Sequence, residues 1–171
     1  MCNSSHTRVQ RSFKKNRKII KNKRKVYSLG VWQRRNGVLY FYVKKFGFKP
    51  KIAILGLNPH CESIHKYNED DKIIKPTIKY LKAKYDVSGP YSADTIFLKN
   101  NRKKFDVIIG MYHDQVLTPI KTLFEYDAIN ITLGLPFERI SPDHGPNEKM
   151  LGKNISNPLS LLRAIQFLEK H

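Results

Sequence analysis

The chain has 171 residues, about the size of one ordinary domain, and none of its apolar runs approaches the ~20 residues needed to cross a bilayer. Its two cysteines lie far apart in the sequence, which argues against a disulfide framework or a thiolate metal site. A net charge of +18 is typical of nucleic-acid-binding proteins, but residues 1–50 hold 15 of the 32 basic residues and no acidic residue, so residues 51–171 carry a net charge of only +3.

The first 45 residues form a basic segment with few apolar side chains. Residues 1–25 are too polar to offset the entropy cost of ordering, so they are predicted to be disordered or weakly helical. They also lack the apolar stretch of a secretory signal, and a cytoplasmic location is therefore expected. In residues 26–45, two β-prone runs flank Asn36-Gly37, a pair typical of tight hairpin turns, which predicts a marginal hairpin.

From residue 49 the pattern changes to that of a folded domain. Residues 49–57 (KPKIAILGL) are an almost continuous apolar run, which predicts a buried parallel strand. Residues 70–84 are predicted to be a helix in which Pro76 lies in the first turn or marks the start, and a loop is predicted at residues 88–91. The apolar residues at helical spacing in the predicted helix are Ile73, Ile74, Ile78 and Leu81.

Two further strands and two further helices are predicted in the second half. The strands are residues 105–111 (FDVIIGM) and 128–133 (AINITL), with a short helix at 119–124 between them. Residues 158–170 predict a closing amphipathic helix whose inward face consists of Leu161, Leu162, Ile165 and Leu168. Alternating strands and helices predict an α/β fold with a mostly parallel sheet, in which ligands bind beyond the carboxyl ends of the strands.

Two histidines stand directly after predicted strands. His60 and His113 are 53 residues apart, and a parallel sheet could bring both imidazoles to one edge as metal ligands. On residue type alone, a single histidine after a strand is more often a hydrogen-bonded loop residue than a ligand. Both interpretations stay open on spacing alone.

Five phrases in register carry a family resemblance. They are LGLNPH (55–60), GPYSADT (89–95), MYHDQ (111–115), NITLGLP (130–136) and SPDHG (141–145). In order and spacing they resemble the 4-hydroxythreonine-4-phosphate dehydrogenase family over roughly residues 46–168. The resemblance implies an isocitrate/isopropylmalate dehydrogenase-like α/β fold, here a partial α/β/α arrangement. It divides the chain into a basic segment at 1–45 without a clear family match and the C-terminal half of a dehydrogenase domain at 46–171.

The activity implied by the resemblance is that of an oxidoreductase in pyridoxal 5'-phosphate (vitamin B6) biosynthesis. Such an enzyme oxidises and decarboxylates 4-phosphooxy-L-threonine with NAD or NADP and a divalent metal (Zn, Mg or Co), and the full-length family is implied to form homodimers. No G-x-G-x-x-G fingerprint occurs, so a Rossmann site is not supported and the cofactor-binding residues stay unassigned.

Three histidines are implied to hold the metal. The family's second and third metal ligands match His60 in LNPH and His113 in MYHDQ. The first falls on His6 only weakly, because no proline follows and its separation from His60 exceeds that of the family. A solvated histidine is the competing interpretation for His6.

The substrate-binding residues implied by the resemblance are Lys121, Asn130 and Arg139. Two cations suit a phosphorylated substrate, since Arg offers a planar fork of donors and Lys a movable point charge. Without the resemblance, the two cations would be interpreted as surface charges and Asn130 as a polar strand residue.

Two carboxylates are candidates for the catalytic site. Asp94 and Asp114 lie in the phrases ADT and HDQ, and a carboxylate beside a histidine ligand can fix the tautomer of its ring. The alternatives are a helix N-cap for Asp94 and a turn residue for Asp114. Asp143 and His144 form a polar pair in SPDHG to which no role is assigned.

Other functions remain open at this stage. A related dehydrogenase of another hydroxy acid, such as 4-phosphoerythronate or hydroxythreonate, is the nearest alternative. A basic nucleic-acid-binding module using residues 1–45 is a second, less favoured one. Because the family chain is roughly twice as long, the sequence is interpreted as a fragment that we expect to be inactive in isolation.

Overall fold

The computed structural model describes residues 8–12, 26–29, 46–61, 68–133, 135–146 and 148–169. These residues form one mixed sheet with the strand order β4-β3-β5-β2-β1-β6-β7. The strands are β1 (Arg8–Ser12), β2 (Val26–Leu29), β3 (Ile52–Leu55), β4 (Val87–Tyr91), β5 (Val107–Gly110), β6 (Ala128–Thr132) and β7 (Arg139–Pro142).

The strand directions decide where the ends of the strands meet. Strands β4, β3, β5 and β2 pair in parallel, β1 pairs antiparallel with both β2 and β6, and β7 pairs antiparallel with β6. Strand β6 therefore runs in the same direction as β3 and β5. The carboxyl ends of β3, β5 and β6 share one edge of the sheet, which is called the carboxyl edge below.

Helices cover both faces of the sheet. They are α1 (Lys75–Lys82), which follows a π-helical turn at Asp70–Ile74, α2 (Lys99–Arg102), α3 (His113–Phe124) and α4 (Leu159–Glu169), with a 3₁₀ turn at Glu148–Met150. Residues of α1 and α4 join one buried cluster, and residues of α3 join the cluster on the opposite face. The α/β/α arrangement predicted from the sequence is therefore confirmed.

The apolar runs predicted the central strands. Strands β3, β5 and β6 lie within the predicted ranges, and most of their residues are buried. The prediction of a loop at residues 88–91 was wrong, because Val87–Tyr91 is a strand paired with β3. As an edge strand, β4 tolerates Pro90, which cannot donate to a neighbour. Strand β7 was not predicted.

Two helices also differ from the predictions. Helix α3 begins at His113 rather than near residue 119 and contains Pro119 in its interior. In the predicted helix at 70–84, Ile74, Ile78 and Leu81 are buried but Ile73 is exposed. Ile73 precedes Ile74 by one residue, about 100° around the helix, and so faces away from the stripe that Ile74, Ile78 and Leu81 form.

The basic segment contributes two strands to the sheet. The prediction of disorder or weak helix was wrong for Arg8–Ser12, which forms β1, whereas β2 lies in the first of the two β-prone runs predicted at residues 26–45; both strands lie between β5 and β6. Strand β1 pairs with β6 and β2 pairs with β5, both distant in the chain, so local composition could not reveal their place in the sheet. The turn predicted at Asn36-Gly37 lies outside the described residues.

Helix α4 is present, but its predicted inward face was wrong. Leu161, Leu162, Ile165 and Leu168 are each about half exposed, and the buried residues of the helix are instead Ser160, Ala164 and Phe167. The Ser160 hydroxyl donates a hydrogen bond to the Ala128 carbonyl at the start of β6, and small side chains at 160 and 164 let the helix approach the sheet closely.

The helices of the described ranges are all too short or too polar to span a bilayer.

Candidate active site

The loop after β3 carries His60, and a buried carboxylate holds its backbone. Asp70 is 1% exposed and accepts hydrogen bonds from the backbone amides of Leu57 (2.7 Å) and Asn58 (2.9 Å). The backbone amide of His60 in turn donates to the Asn58 side-chain oxygen at 2.9 Å. Because these groups are bonded within the protein, the loop has a defined backbone while the His60 side chain stays exposed.

The same loop is tied to β4 and admits no side chain at Gly56. The Gly56 amide donates to the Tyr91 carbonyl at 3.0 Å, and the Ser92 hydroxyl donates to the Pro59 carbonyl at 2.7 Å. A Cβ atom at Gly56 would lie 2.7 Å from the Cys61 sulfur and 2.9 Å from an Asp70 oxygen. Glycine is therefore the residue that fits the close packing under His60.

His113 is the first residue of α3, directly beyond the end of β5. Its Nδ1 lies 2.7 Å from an Asp114 carboxylate oxygen, and both side chains are exposed. A carboxylate on Nδ1 favours the tautomer that leaves Nε2 free to bind a metal. The contact expected between Asp114 and its neighbouring histidine is thus present.

Asp94 lies near the other histidine but does not touch it. Among the described residues Asp94 makes no hydrogen bond to His60 or His113, yet it is close enough for its charge to help raise the pKa of the Cys61 thiol. Burial is the larger cause of that rise. No contact among the described residues therefore supports the expectation that Asp94 orients a histidine ring.

The three predicted substrate-binding residues lie along one face of the sheet. Ile129 and Ile131 join the cluster on the α4 side, so Asn130 between them points to the α3 side, as Ala128 does. Arg139 pairs with Thr132 in the β6–β7 register, and its guanidinium donates to the Thr132 hydroxyl at 3.0 Å. Arg139 therefore stands at the carboxyl edge, on the same face as Asn130.

Lys121 lies far along α3 from His113. It is eight residues beyond His113 in α3, which is about 12 Å along the helix axis, toward the opposite edge of the sheet. There its ammonium group lies 3.3 Å from the Asp143 carboxylate, which is 7% exposed. The three residues are therefore spread along the length of β6, with Arg139 near its carboxyl end, Asn130 at its middle and Lys121 near its start. They do not cluster beside His113.

An orphaned polar atom lies in the middle of this row. The Asn130 side-chain oxygen is buried, and no described residue donates a hydrogen bond to it. Burying an acceptor without a partner costs free energy, so such atoms are uncommon and often face a ligand. A ligand group that donates a hydrogen bond would therefore be stabilised beside the Asn130 oxygen.

The donor set at the carboxyl edge suits a divalent metal. Imidazole nitrogens bind Zn²⁺ and related cations, and His60 and His113 leave neighbouring parallel strands at the same edge. Within the ranges the structure describes, no group of three or more His, Cys, Asp or Glu side chains could hold a metal. A complete site would therefore need a ligand from elsewhere, and His6 lies outside the described residues.

Comparison with known proteins decides the family. Residues 36–168 match the family model of the pyridoxal phosphate biosynthetic protein PdxA, which is well over half of the chain. The chain belongs to the PdxA family. The match begins ten residues before the boundary predicted at residue 46.

Several relatives of this PdxA-family chain are named 4-hydroxythreonine-4-phosphate dehydrogenase. The chain is 48% identical over 128 residues to a 4-hydroxythreonine-4-phosphate dehydrogenase from Sulfurihydrogenibium sp., covering 73% of this chain and 39% of the relative. It is 44% identical over 130 residues to the enzyme of that name from Xanthobacter autotrophicus, covering 74% and 37%.

A solved structure from the same family has the same fold. The 4-hydroxythreonine-4-phosphate dehydrogenase of Klebsiella pneumoniae superposes with a TM-score of 0.67 at 26% identity, covering 95% of this chain and 54% of that one. The chain thus spans about two fifths of the length of the curated relatives it matches.

Two residues that hold this PdxA-family site together were missed in the sequence. The sequence pattern predicted Asp70 only as the first residue of a helix, and it gave no role to Gln115 in the phrase MYHDQ. Their partners lie 12 or more residues away, at Leu57 and Asn58 for Asp70 and at Gly56 for Gln115. The only available signal was that both are polar residues beside strand ends.

Proposed function

We propose that this chain supplies part of the active site of an NAD-linked, divalent-metal-dependent dehydrogenase that oxidises and decarboxylates 4-phosphooxy-L-threonine in pyridoxal 5'-phosphate biosynthesis. The PdxA family match over residues 36–168 carries the proposal. The row of Arg139, Asn130 and Lys121 on the α3 face of the sheet supports it, because two cations and an unsatisfied amide oxygen suit a small phosphorylated amino acid.

His60 and His113 would hold the metal through their ring nitrogens. When bound, the metal supplies a Lewis acid toward the substrate's hydroxyl oxygen and NAD accepts the hydride. Asp114 keeps the His113 ring in the tautomer that presents Nε2. We further propose that, as in the resemblance, the working enzyme pairs with a second copy and draws residues from both.

The chain's charged side chains would bind and orient the substrate. The guanidinium of Arg139 retains donors beyond the one given to Thr132, and these can bind phosphate or carboxylate oxygens in pairs. The Asn130 oxygen can accept a hydrogen bond from the substrate's ammonium or hydroxyl group. Lys121, which is only 43% exposed beside Asp143, adds a second positive charge on the same face.

The experiment is a binding and turnover assay of the purified chain. Binding of 4-phosphooxy-L-threonine is measured by calorimetry, and NADH formation is followed for the chain alone and mixed with the N-terminal half of the Sulfurihydrogenibium relative. Arg139→Ala should weaken binding about 10–100-fold, because a charge-assisted hydrogen bond contributes about 1.5–3 kcal/mol. Lys149→Ala removes an exposed cation from the 3₁₀ turn and should leave binding unchanged.

Two outcomes would contradict the proposal. If Arg139→Ala and Lys149→Ala bind 4-phosphooxy-L-threonine equally well, Arg139 does not bind the substrate. Turnover of 4-phosphoerythronate or hydroxythreonate in preference to 4-phosphooxy-L-threonine would instead point to the related dehydrogenase. The nucleic-acid alternative depends on residues 1–45, of which only β1 and β2 are described, and it stays a prediction.

A further inference from the structure

A buried glutamine connects the two loops that carry His60 and His113. Gln115 lies in the first turn of α3, two residues after His113, and is 6% exposed. Its side-chain nitrogen donates to the Gly56 carbonyl at 2.7 Å. Its side-chain oxygen accepts from the Met111 amide, also at 2.7 Å.

These two partners belong to different loops at the same edge. Gly56 is the first residue after β3 and begins the loop to His60, whereas Met111 is the first residue after β5 and begins the connection to His113. Strands β3 and β5 are parallel neighbours, with Ile54 opposite Ile109. One carboxamide therefore spans the gap between the starts of both histidine loops.

Only a side chain with a donor and an acceptor on one carbon can make both bonds. An ionised glutamate has acceptors alone, a methionine of similar size has only a weak acceptor, and a leucine has neither donor nor acceptor. The start of α3 also packs closely on the end of β5, because a Cβ atom at Gly110 would lie 2.4 Å from Val116 and 3.4 Å from the Gln115 Cβ. The two hydrogen bonds thus favour glutamine at this position.

The His60 loop is otherwise held as one rigid piece. Asp70 binds the amides of Leu57 and Asn58, and the Gly56 amide is bound to Tyr91 of β4. A shift of Gly56 would therefore carry the loop with it. The Gln115 bond to the Gly56 carbonyl sets where this piece stands relative to His113.

We infer that Gln115 is a positioning residue that fixes the separation of His60 and His113, and through it the affinity of the site for a divalent cation. Because the metal site itself belongs to the proposed function, this role of Gln115 rests on that proposal. Preorganised ligands bind metal more tightly because no ordering of the loops accompanies binding.

The test is Co²⁺ binding to the full chain, measured by isothermal titration calorimetry. Gln115→Glu keeps the size of the side chain but loses the donor to Gly56, and it should weaken Co²⁺ binding about 10–100-fold, the range found for groups that orient metal ligands. Gln166→Glu makes the same chemical change on the exposed side of α4 and should bind Co²⁺ as the unchanged chain does. Equal affinities for Gln115→Glu and Gln166→Glu would overturn the inference.

His60→Ala separates failure of the inference from failure of the proposed metal site. If His60→Ala binds Co²⁺ as tightly as the unchanged chain, the proposed metal site is wrong and the inference fails with it. If His60→Ala abolishes binding while Gln115→Glu binds normally, the metal site stands and only the role of Gln115 is overturned.

A measurement on the unchanged chain covers the case in which Gln115→Glu does not fold. Hydrogen exchange at the Met111 amide, which is bonded to Gln115, should slow when Co²⁺ is added, because the metal and the glutamine restrain the same two loops. The Asn101 amide, bonded to Leu98 in the remote α2 region, should exchange at an unchanged rate. Exchange at Met111 that does not respond to Co²⁺ would overturn the inference.

Discussion

At the residue scale, one buried carboxylate orders a loop that a sequence pattern describes only as polar. Asp70 satisfies two consecutive backbone amides in the segment that leads to His60. The His60 side chain itself stays exposed, so the loop backbone is ordered by Asp70 and not by contacts of the histidine ring. Rigid support beneath an exposed ligand is the arrangement that metal binding favours.

The contribution of Asp70 can be measured by equilibrium unfolding. Asp70→Asn places an amide nitrogen against one of two backbone donors, and it should lower the free energy of unfolding by about 1–3 kcal/mol. Glu69→Gln changes the exposed neighbour in the same way and should stay within about 0.5 kcal/mol of the unchanged chain. Urea unfolding followed by circular dichroism would detect the difference, and equal stabilities would refute the role of Asp70.

A second prediction at this scale concerns the thiol beside His60. Burial, with smaller effects from Asp70 and Asp94, raises the pKa of Cys61 above its ordinary value of 9.0. Since the thiolate is the reactive form, Cys61 should react with iodoacetamide more slowly than a free thiol near neutral pH, and its rate should still be rising at pH 9.0, where the rate of an ordinary thiol begins to level off. Cys2→Ser leaves Cys61 as the sole thiol for this measurement.

The raised pKa of Cys61 also determines how its contribution to the folding stability changes with pH. A raised pKa in the folded state means that folding favours the protonated thiol, so this contribution is complete below the unfolded pKa and is lost as the pH rises through the folded value. A Cys61 thiol that reacts as fast as the free reference at neutral pH would contradict the burial of its sulfur.

The site was partly predictable at this scale. The His113–Asp114 contact follows from adjacency in the chain, and the positions of His60 and His113 follow from strand ends. Gln115 contacts a residue 59 positions away, and no local pattern marks that partner. Lys121 was implied by the resemblance to bind the substrate, but its position relative to the histidines could not be predicted, because it depends on the length of α3, which places it about 12 Å along the helix axis from His113.

At the element scale, apolar runs predicted strands better than apolar spacing predicted helix faces. Strands β3, β5 and β6 are continuous runs buried on both sides, so their type does not depend on choosing a face. In α4 two stripes compete, and the stripe with fewer large residues is the buried one. The Ser160 hydroxyl and the ion pair of Arg163 with Asp127 (2.7 Å) fix that orientation through contacts with the start of β6.

The orientation of α4 can be tested with one substitution on each stripe. Phe167→Ala removes a side chain that is 1% exposed and should lower the free energy of unfolding by about 3–5 kcal/mol. Leu168→Ala removes a half-exposed neighbour and should cost well under half as much, because much of its surface already faces solvent. Guanidinium unfolding of both variants decides the matter, and a larger loss for Leu168→Ala would show that the helix faces the other way.

At the scale of the whole molecule, sheet topology brings separated chemistry together. The two histidine loops lie at the carboxyl ends of adjacent parallel strands, and Arg139 stands at the same edge because β7 begins opposite the end of β6. An α/β pattern in the sequence predicted this edge as the ligand site. It could not predict that β1 and β2 separate β5 from β6, since their pairing joins residues about 80 to 120 positions apart.

Zn²⁺ binding by the full chain and three single variants tests the proposed metal site at the carboxyl edge most directly. Equilibrium dialysis should show that His60→Ala and His113→Ala each weaken binding by more than about 10-fold. His144→Ala should bind normally, because His144 follows the end of β7 at the opposite edge of the sheet. Equal binding by all three variants would contradict the account.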